Sequence, residues 1–234
     1  MGNRKLIVGV FGTANTGKTT LIDDIVSRSA KEREEEARWH LFGKDYREVI
    51  KEKGLVINRD GDERSQMVIH ETLLQNIRDA VMENSERRLI MDRTILDSFA
   101  YTYYLKMFGE KSISDDLIQK MWTDVELYSP CFDSLLYIPL SKCGDITVED
   151  DKFRDTNFEY RKRIDQIFSA LFVTLVLSGR ANMDIIFGTR EKRIKWFLDT
   201  KEYLMLHGNG EKQANLDTFE TQLEKIVEGN FQVI

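Results

Sequence analysis

The chain has 234 residues, of which 41% are hydrophobic and 32% charged, and its formal net charge is −6 at pH 7. This length and composition predict one folded domain over residues 1–234 and exclude a disordered or fibrous chain. The acidic balance argues against a long nucleic acid as partner, without excluding one, because binding to a phosphate backbone usually requires a basic surface.

Segments typical of membrane insertion or secretion are not found in the sequence. No apolar run approaches the ~18 residues of a membrane span, so we expect a cytoplasmic protein without membrane contact. Cys131 and Cys143 are too far apart for a Cys-x-x-Cys pair, which predicts two reduced thiols and no zinc site. The scattered histidines His40, His70 and His207 are interpreted as solvated or structural, with no role in chemistry.

The first element is a strand, Lys5–Phe11, because this short apolar and β-branched run ends at glycine. A glycine loop at Gly12–Thr16 follows, and apolar residues then recur at helical spacing over 21–26. The mixed charges of Lys31–Arg38 predict a solvated helix end. The chain therefore begins as strand, loop and helix.

Strands and helices continue to alternate along the chain. After a polar turn at Arg59–Glu63, the pattern predicts a helix over 67–81, a strand at Leu89–Met91, helices over 96–108 and 114–128, a strand at Leu135–Pro139, a polar excursion at Ser141–Asn157, a helix over 160–177, a strand at Asp184–Phe187, a helix over 190–198 and a terminal helix. This alternation predicts an α/β fold with a mainly parallel sheet flanked by helices.

The loop after the first strand carries the strongest motif. Gly12-Thr-Ala-Asn-Thr-Gly17-Lys18-Thr19 matches G-x-x-x-x-G-K-[ST], the phosphate loop of the P-loop NTPase fold. Lys18 is expected to reach the β- and γ-phosphates of ATP, and the Thr19 hydroxyl to ligate Mg²⁺. The predicted nucleotide contacts are Gly12, Asn15, Thr16, Gly17, Lys18, Thr19 and Thr20.

A second constellation begins at Asp92-Arg93, directly after a buried strand. Ligands of an open parallel sheet bind beyond the carboxyl ends of its strands, so Asp92 and Arg93 are expected to face the same crevice as the phosphate loop. Asp92 is predicted to hold Mg²⁺ together with Thr19. The alternative is a carboxylate that caps the next helix beside a surface arginine.

This region resembles thymidylate kinases and related P-loop nucleoside and nucleotide kinases, including phage proteins and the ribosylnicotinamide kinase group. The family has Asp-Arg-Tyr, then Ser and Ala-Tyr, and Asp92, Arg93, Ala100 and Tyr101 fall at those places. Thr94 and Asp97 stand where the family has Tyr and Ser, which leaves thymidylate itself open as the substrate. The resemblance implies acceptor contacts at Arg64, Gln66, Arg93 and Tyr101, and a host cytoplasm if a phage encodes the chain.

Later arginines complete the resemblance. Arg154 and Arg161 are similar to the arginines of the mobile lid in these kinases, here about 141–165, which implies that they clamp the transferring phosphoryl group. Arg190 and Arg193 resemble residues of the loop that packs on adenine. Pairing of the lid arginines with Glu159 and Asp165 on a solvated face is the alternative.

Three functions follow from these residues. The leading one is ATP-dependent phosphoryl transfer to a small nucleotide by a deoxynucleoside monophosphate kinase, with Lys18, Asp92, Arg93, Arg154 and Arg161 as catalytic residues. The second is a hydroxyl-directed kinase acting on a nucleoside or on DNA, in which Asp92 accepts a proton. The third is an ATPase switch. The C-terminal helical extension, about 199–234, is expected either to pack on the core or to form a homodimer face.

Overall fold

The structure is a computed structural model that describes residues 5–83, 87–140 and 157–201. Its strands are β1 (Leu6–Phe11), β2 (Trp39–Leu41), β3 (Arg88–Asp92), β4 (Ser134–Tyr137) and β5 (Met183–Ile185). Its α-helices are α1 (Lys18–Ser29), α2 (Tyr46–Lys53), α3 (Glu63–Met82), α4 (Ile95–Phe108), α5 (Asp115–Tyr128), α6 (Phe158–Leu177) and α7 (Arg190–Trp196). The predicted α/β class is confirmed.

The five strands form one parallel sheet in the order β2-β3-β1-β4-β5. The central strand β1 pairs with β3 on one side and with β4 on the other, so that Val8 lies between Ile90 and Ser134. All six residues of β1 are buried. Burial on both faces explains why this strand is a continuous apolar run.

The side chains of β1 alternate between two apolar layers. Leu6, Val8 and Val10 pack with residues of α1, with Ile194 of α7 and with Phe197. Ile7 and Phe11 pack on the opposite face, in the larger cluster built by α2 to α6. Helices therefore cover both faces of the sheet, as an all-parallel sheet requires.

The segment between α1 and α3 differs from the sequence prediction. Lys31–Arg38 does not extend α1, which ends at Ser29, and the unpredicted strand β2 follows it. Trp39 of β2 is 1% exposed, and its ring lies 5.2 Å from that of Phe197. A strand of three residues that follows a charge run is too short to give a periodic signal in the sequence. It is stabilised by its pairing with β3 and by the contact of Trp39 with Phe197, which is distant in the chain.

The unpredicted helix α2 has local caps but a short apolar face. The Asp45 carboxylate accepts a hydrogen bond from the Arg47 N–H, and Gly54 ends the helix with φ 59°. In eight residues only Tyr46 and Ile50 are buried, too few to reveal a helical period.

The other boundaries shift by a few residues. Helix α3 begins at Glu63, inside the predicted turn, and β5 ends at Ile185 rather than at residue 187. Residues 158–165 of the predicted lid form the first turns of α6, while residues 141–156 and 202–234 lie outside the described residues. None of the helices described is long and apolar enough to cross a bilayer.

Candidate functional site

The loop between β1 and α1 has the backbone of a phosphate cradle. Gly12 and Gly17 adopt φ 137° and 84°, and Asn15 adopts φ 57°. A Cβ atom on Gly12 would lie 2.6 Å from the carbonyl oxygen of Ile138, so glycine is needed here for space as well as for conformation. Helix α1 begins at Lys18, which points its positive end at the loop.

Lys18 lies directly over this loop. Its Nζ donates to the carbonyl oxygens of Gly12 at 2.7 Å and of Thr13 at 2.6 Å, and the residue is 5% exposed. Burial, followed by the charge of Arg93, lowers the pKa of Lys18 to about 7. A phosphate bound beside it would favour the charged form.

Thr19 and Asp92 meet at the carboxyl end of the sheet, as the sequence predicts. The Thr19 hydroxyl donates to Oδ2 of Asp92 at 2.6 Å. Oδ1 of Asp92 is buried and has no hydrogen-bond partner among the described residues. A free carboxylate oxygen beside a hydroxyl fits Mg²⁺, which takes one or two protein ligands and completes its shell with phosphate and water.

Two further arginines support the loop from outside. Arg161 of α6 donates to the carbonyl oxygens of Ala14 at 3.2 Å and of Asn15 at 3.3 Å. Arg193 of α7 donates to the carbonyl oxygen of Thr16 at 2.7 Å, and both arginines are buried. The structure therefore brings Arg161 and Arg193 to the phosphate loop, and the alternative of Arg161 on a solvated face does not hold. The predicted clamping of the phosphoryl group by Arg161 and the predicted adenine contact of Arg193 stay predictions.

The remaining residues of the predicted nucleotide site are placed differently. Thr20 is exposed on the first turn of α1. Arg190 makes a two-pronged ion pair with Asp24, at 2.7 and 2.8 Å, and its side chain is 65% exposed. Its contact with the adenine stays a prediction, as does the role of Arg154, which lies outside the described residues.

Arg93 directly follows β3 and is buried, and its backbone adopts a left-handed conformation with φ 77°. Its Nη1 lies 3.3 Å from Oδ1 of Asp97, and its guanidinium lies 5.5 Å from the ring centre of Tyr46 and 5.7 Å from that of Tyr101. Asp97 also closes a capping box with Thr94 at the start of α4. The alternative reading of Arg93 as a surface arginine is wrong, because the residue is 7% exposed.

A cavity opens beside Arg93. The Tyr101 hydroxyl accepts a hydrogen bond from the Ala14 N–H at 3.1 Å, so the wall of this cavity touches the phosphate loop. The lining residues are Ala14, Tyr46, Ile57, Asn58, Gln66, Ile69, Leu73, Arg93, Asp97, Ser98 and Tyr101. We call this space the acceptor cavity.

The acceptor cavity contains most, but not all, of the predicted acceptor contacts. Gln66, Arg93 and Tyr101 line it, whereas Arg64 is exposed and does not. The role of Arg64 in binding an acceptor stays a prediction.

Several residues of this region escaped the sequence analysis. Arg47 follows Tyr46 on α2, and its Nε is buried without a hydrogen-bond partner among the described residues. Its guanidinium lies 5.7 Å from the ring centre of Tyr46, which lines the acceptor cavity. Asp45 before α2 was the one local signal, and it marks a helix start rather than a binding site.

Asp165 of α6 was also missed as a structural residue. Its Oδ1 accepts hydrogen bonds from the Leu140 N–H at 3.0 Å and from the Tyr137 hydroxyl at 2.9 Å. Burial raises the pKa of Asp165 to about 6, against these hydrogen bonds, which lower it. This carboxylate ties α6 to the chain that leaves β4.

Comparison with known proteins places this geometry in a family. A family model described as an AAA domain matches residues 7–179. No curated protein sequence matches the chain significantly.

Solved structures similar to this chain come from the group that the sequence suggests. Thymidylate kinase from Candida albicans has a TM-score of 0.61 at 15% identity, over 86% of this chain and 93% of that one. Deoxyadenosine kinase from M. mycoides, with dCMP and dCDP bound, has a TM-score of 0.57 at 13% identity, over 84% and 99%. NadR in complex with NR has a TM-score of 0.54 at 19% identity, over 80% and 48%. The predicted kinase-like P-loop fold is confirmed.

Proposed function

The chain belongs to the AAA domain family of the preceding comparison, and from this premise we propose that it transfers the γ-phosphoryl group of ATP to a deoxynucleoside monophosphate. The observation that carries the proposal is the buried Arg93 in a cavity whose wall is hydrogen-bonded to the phosphate loop through Tyr101 and Ala14. An acceptor held in this cavity has its phosphate end next to the donor site.

The residues on the donor side have distinct tasks. The backbone N–H groups of the loop and Lys18 bind the phosphates of ATP and neutralise charge as it spreads over the transferring oxygens. Thr19 and Asp92 would hold Mg²⁺, which when bound neutralises and orients those phosphates. Arg161 and Arg193 keep the loop in shape by binding its carbonyl groups.

On the acceptor side, Arg93 and Arg47 bind the monophosphate, and their guanidiniums lie 5.5 and 5.7 Å, respectively, from the ring centre of Tyr46. One oxygen of this phosphate forms a bond to the γ-phosphorus, while the bond from the γ-phosphorus to the bridging oxygen of ADP breaks. Because a phosphate monoester has a second pKa of ~6, the attacking oxygen needs no strong base.

A hydroxyl acceptor is the second candidate, and the Asp97 carboxylate favours it. Asp97 lies 3.3 Å from Arg93 and cancels part of the positive charge that an acceptor phosphate needs. A cavity with reduced positive charge accommodates a neutral nucleoside, and the free Oδ1 of Asp92 would then take the proton from the attacking hydroxyl.

The deciding experiment measures ADP release from ATP and Mg²⁺ with a panel of nucleosides, ribo- and deoxynucleoside monophosphates and short DNA. Strong stimulation by one monophosphate, lost in Arg93→Ala and kept in the exposed control Arg180→Ala, supports the proposal. Stimulation of ADP release by nucleosides or DNA alone supports the hydroxyl-directed kinase instead. Release that no acceptor changes refutes both and favours an ATPase switch.

A further inference from the structure

A buried chain of three polar side chains lies behind the acceptor cavity. Ser98 lines the cavity, and its Oγ lies 2.8 Å from Nδ1 of His70 on α3. Nε2 of His70 lies 3.1 Å from Oδ2 of Asp124 on α5. Ser98 and His70 are 2% and 1% exposed, and neither has a task in the phosphoryl transfer described above.

The hydrogen atoms of this chain can be assigned from its partners. Asp124 accepts only, so Nε2 of His70 carries a hydrogen and donates it. Burial lowers the pKa of His70, which favours the neutral ring, and Nδ1 then accepts the Ser98 hydroxyl hydrogen. If the ring is charged instead, Nδ1 donates to Ser98 Oγ, and the hydroxyl hydrogen points to the Ile95 carbonyl oxygen at 2.9 Å.

Both assignments have the same consequence for the cavity. The single hydrogen of the Ser98 hydroxyl is held within the protein, by His70 or by Ile95, and Oγ retains a lone pair. Because its hydrogen is already engaged, Ser98 Oγ can only accept a hydrogen bond from a ligand, so a donor placed against it gains a hydrogen bond that an acceptor cannot make.

We infer that Ser98 determines acceptor specificity, with His70 and Asp124 as positioning residues that fix its hydroxyl, and that the cavity selects a nucleobase presenting an N–H group to Ser98 Oγ. This inference rests on the proposed function, since it names the base edge that the acceptor cavity reads. His70 and Asp124 act only through Ser98.

A neighbouring amide complements this acceptor. Thr102 Oγ1 lies 2.7 Å from the Ser98 carbonyl oxygen and 3.1 Å from Oε1 of Gln66. Thr102 has one hydroxyl hydrogen, and the Ser98 carbonyl oxygen is its nearer acceptor, so the Gln66 amide can lie against Thr102 Oγ1 with either its NH₂ group or its oxygen, and its other end is then a second polar partner for a ligand. Ser98 Oγ and this amide line one cavity with the apolar side chains of Ile69 and Leu73, and together they match the edge of a heterocyclic base in which an N–H group adjoins a second hydrogen-bonding group.

The test compares pairs of ligands that differ by one donor. The pairs are dAMP and purine deoxyriboside monophosphate, dCMP and its 4-deamino analogue, dGMP and dIMP, and dTMP and its 3-deaza analogue. Dissociation constants come from isothermal titration calorimetry. For the pair containing the best acceptor, the wild type is expected to bind the donor-bearing member about two- to twelvefold more tightly, the range of one neutral hydrogen bond.

The variants separate recognition from folding. Ser98→Ala should bring this ratio to about one. His70→Asn, which keeps a polar group near the position of Nδ1, should retain most of the ratio, whereas His70→Phe should lower it. Thr123→Ala removes another helix hydroxyl, bonded to the Gln119 carbonyl at 2.9 Å, and should leave the ratio unchanged.

A loss of folding would weaken both members of a pair alike, so the ratio isolates the role of Ser98. An unchanged ratio in Ser98→Ala, with nucleotide turnover intact, overturns this inference and leaves the proposed function standing. Absence of binding by every nucleotide in the wild type overturns the proposed function and this inference with it.

Discussion

Arg93 and Asp97 provide a quantitative test of how the acceptor cavity is built. Their side chains are 8% and 2% exposed, and the closest charged atoms are 3.3 Å apart. Removing one member of a buried pair leaves an uncompensated charge, which typically costs about 3–5 kcal/mol of unfolding free energy. Replacing both members by neutral side chains of similar shape costs far less.

We therefore expect Arg93→Met to lower the unfolding free energy by about 3–5 kcal/mol at pH 7. Asp97→Asn should cost less, about 1–3 kcal/mol, because Arg93 keeps its contacts with the rings of Tyr46 and Tyr101. The double variant should be more stable than Arg93→Met alone, so the magnitude of the coupling free energy should exceed the cost of Asp97→Asn, about 1–3 kcal/mol.

The pH dependence gives an independent check. Burial already raises the pKa of Asp97, and Arg93 opposes this, so the pKa should rise further in Arg93→Met. A carboxyl whose folded-state pKa exceeds its unfolded value binds more protons in the folded state, so its stability falls as the pH rises between the two values. The deficit of Arg93→Met should therefore shrink when the pH is lowered from 7 towards the unfolded value of ~4.

Urea unfolding followed by circular dichroism measures all four proteins under the same conditions. If the free energies of the two single variants add within ~0.5 kcal/mol in the double variant, the pair is not coupled and the reasoning fails. The double variant also serves the turnover assay, because it removes the cation of Arg93 without leaving a buried carboxylate unpaired.

Three further predictions concern the loop, the metal and α6. Gly12→Ala should lower the unfolding free energy by about 2–4 kcal/mol, measured by urea unfolding, because the added Cβ meets the Ile138 carbonyl at 2.6 Å and φ is +137°. A loss below ~0.5 kcal/mol would contradict the conclusion that this position requires glycine. Asp92→Asn should keep the Thr19 contact but raise the Mg²⁺ concentration at half-maximal ADP release about tenfold or more, and an unchanged Mg²⁺ titration would remove Asp92 from the metal site. Asp165→Asn keeps an acceptor oxygen for the Leu140 N–H and the Tyr137 hydroxyl, so it should stabilise the protein by about 1–2 kcal/mol at pH 7 but not at pH 4. The unfolding free energy of the wild type, measured by urea unfolding, should fall as the pH rises from ~4 to about 6. A stability difference between the two proteins that does not change with pH would refute the raised pKa of Asp165.

Local patterns explain how the donor half of the site was predictable. The phosphate loop is contiguous, so Gly12, Gly17, Lys18 and Thr19 stand at fixed spacing between a strand and a helix. The meeting of Thr19 and Asp92 was also predictable, because carboxyl ends of parallel strands share one edge.

Asp97 shows where sequence alone leaves a question. Its departure from the family pattern was visible, but its burial, its helix cap and its ion pair with Arg93 depend on side-chain geometry. The sequence therefore marked the position without assigning its effect on the charge of the cavity.

The sequence by itself determined the alternating strands and helices, the phosphate loop and the strand end at Asp92, because each depends on residues adjacent in the chain. Only the tertiary structure decided the acceptor cavity and the contact of Ser98 with His70 and Asp124. These groups come from α2, α3, α4 and α5, and no spacing in the sequence encodes contacts between residues 28 or 54 positions apart. Such contacts follow from the packing of helices on one face of the sheet.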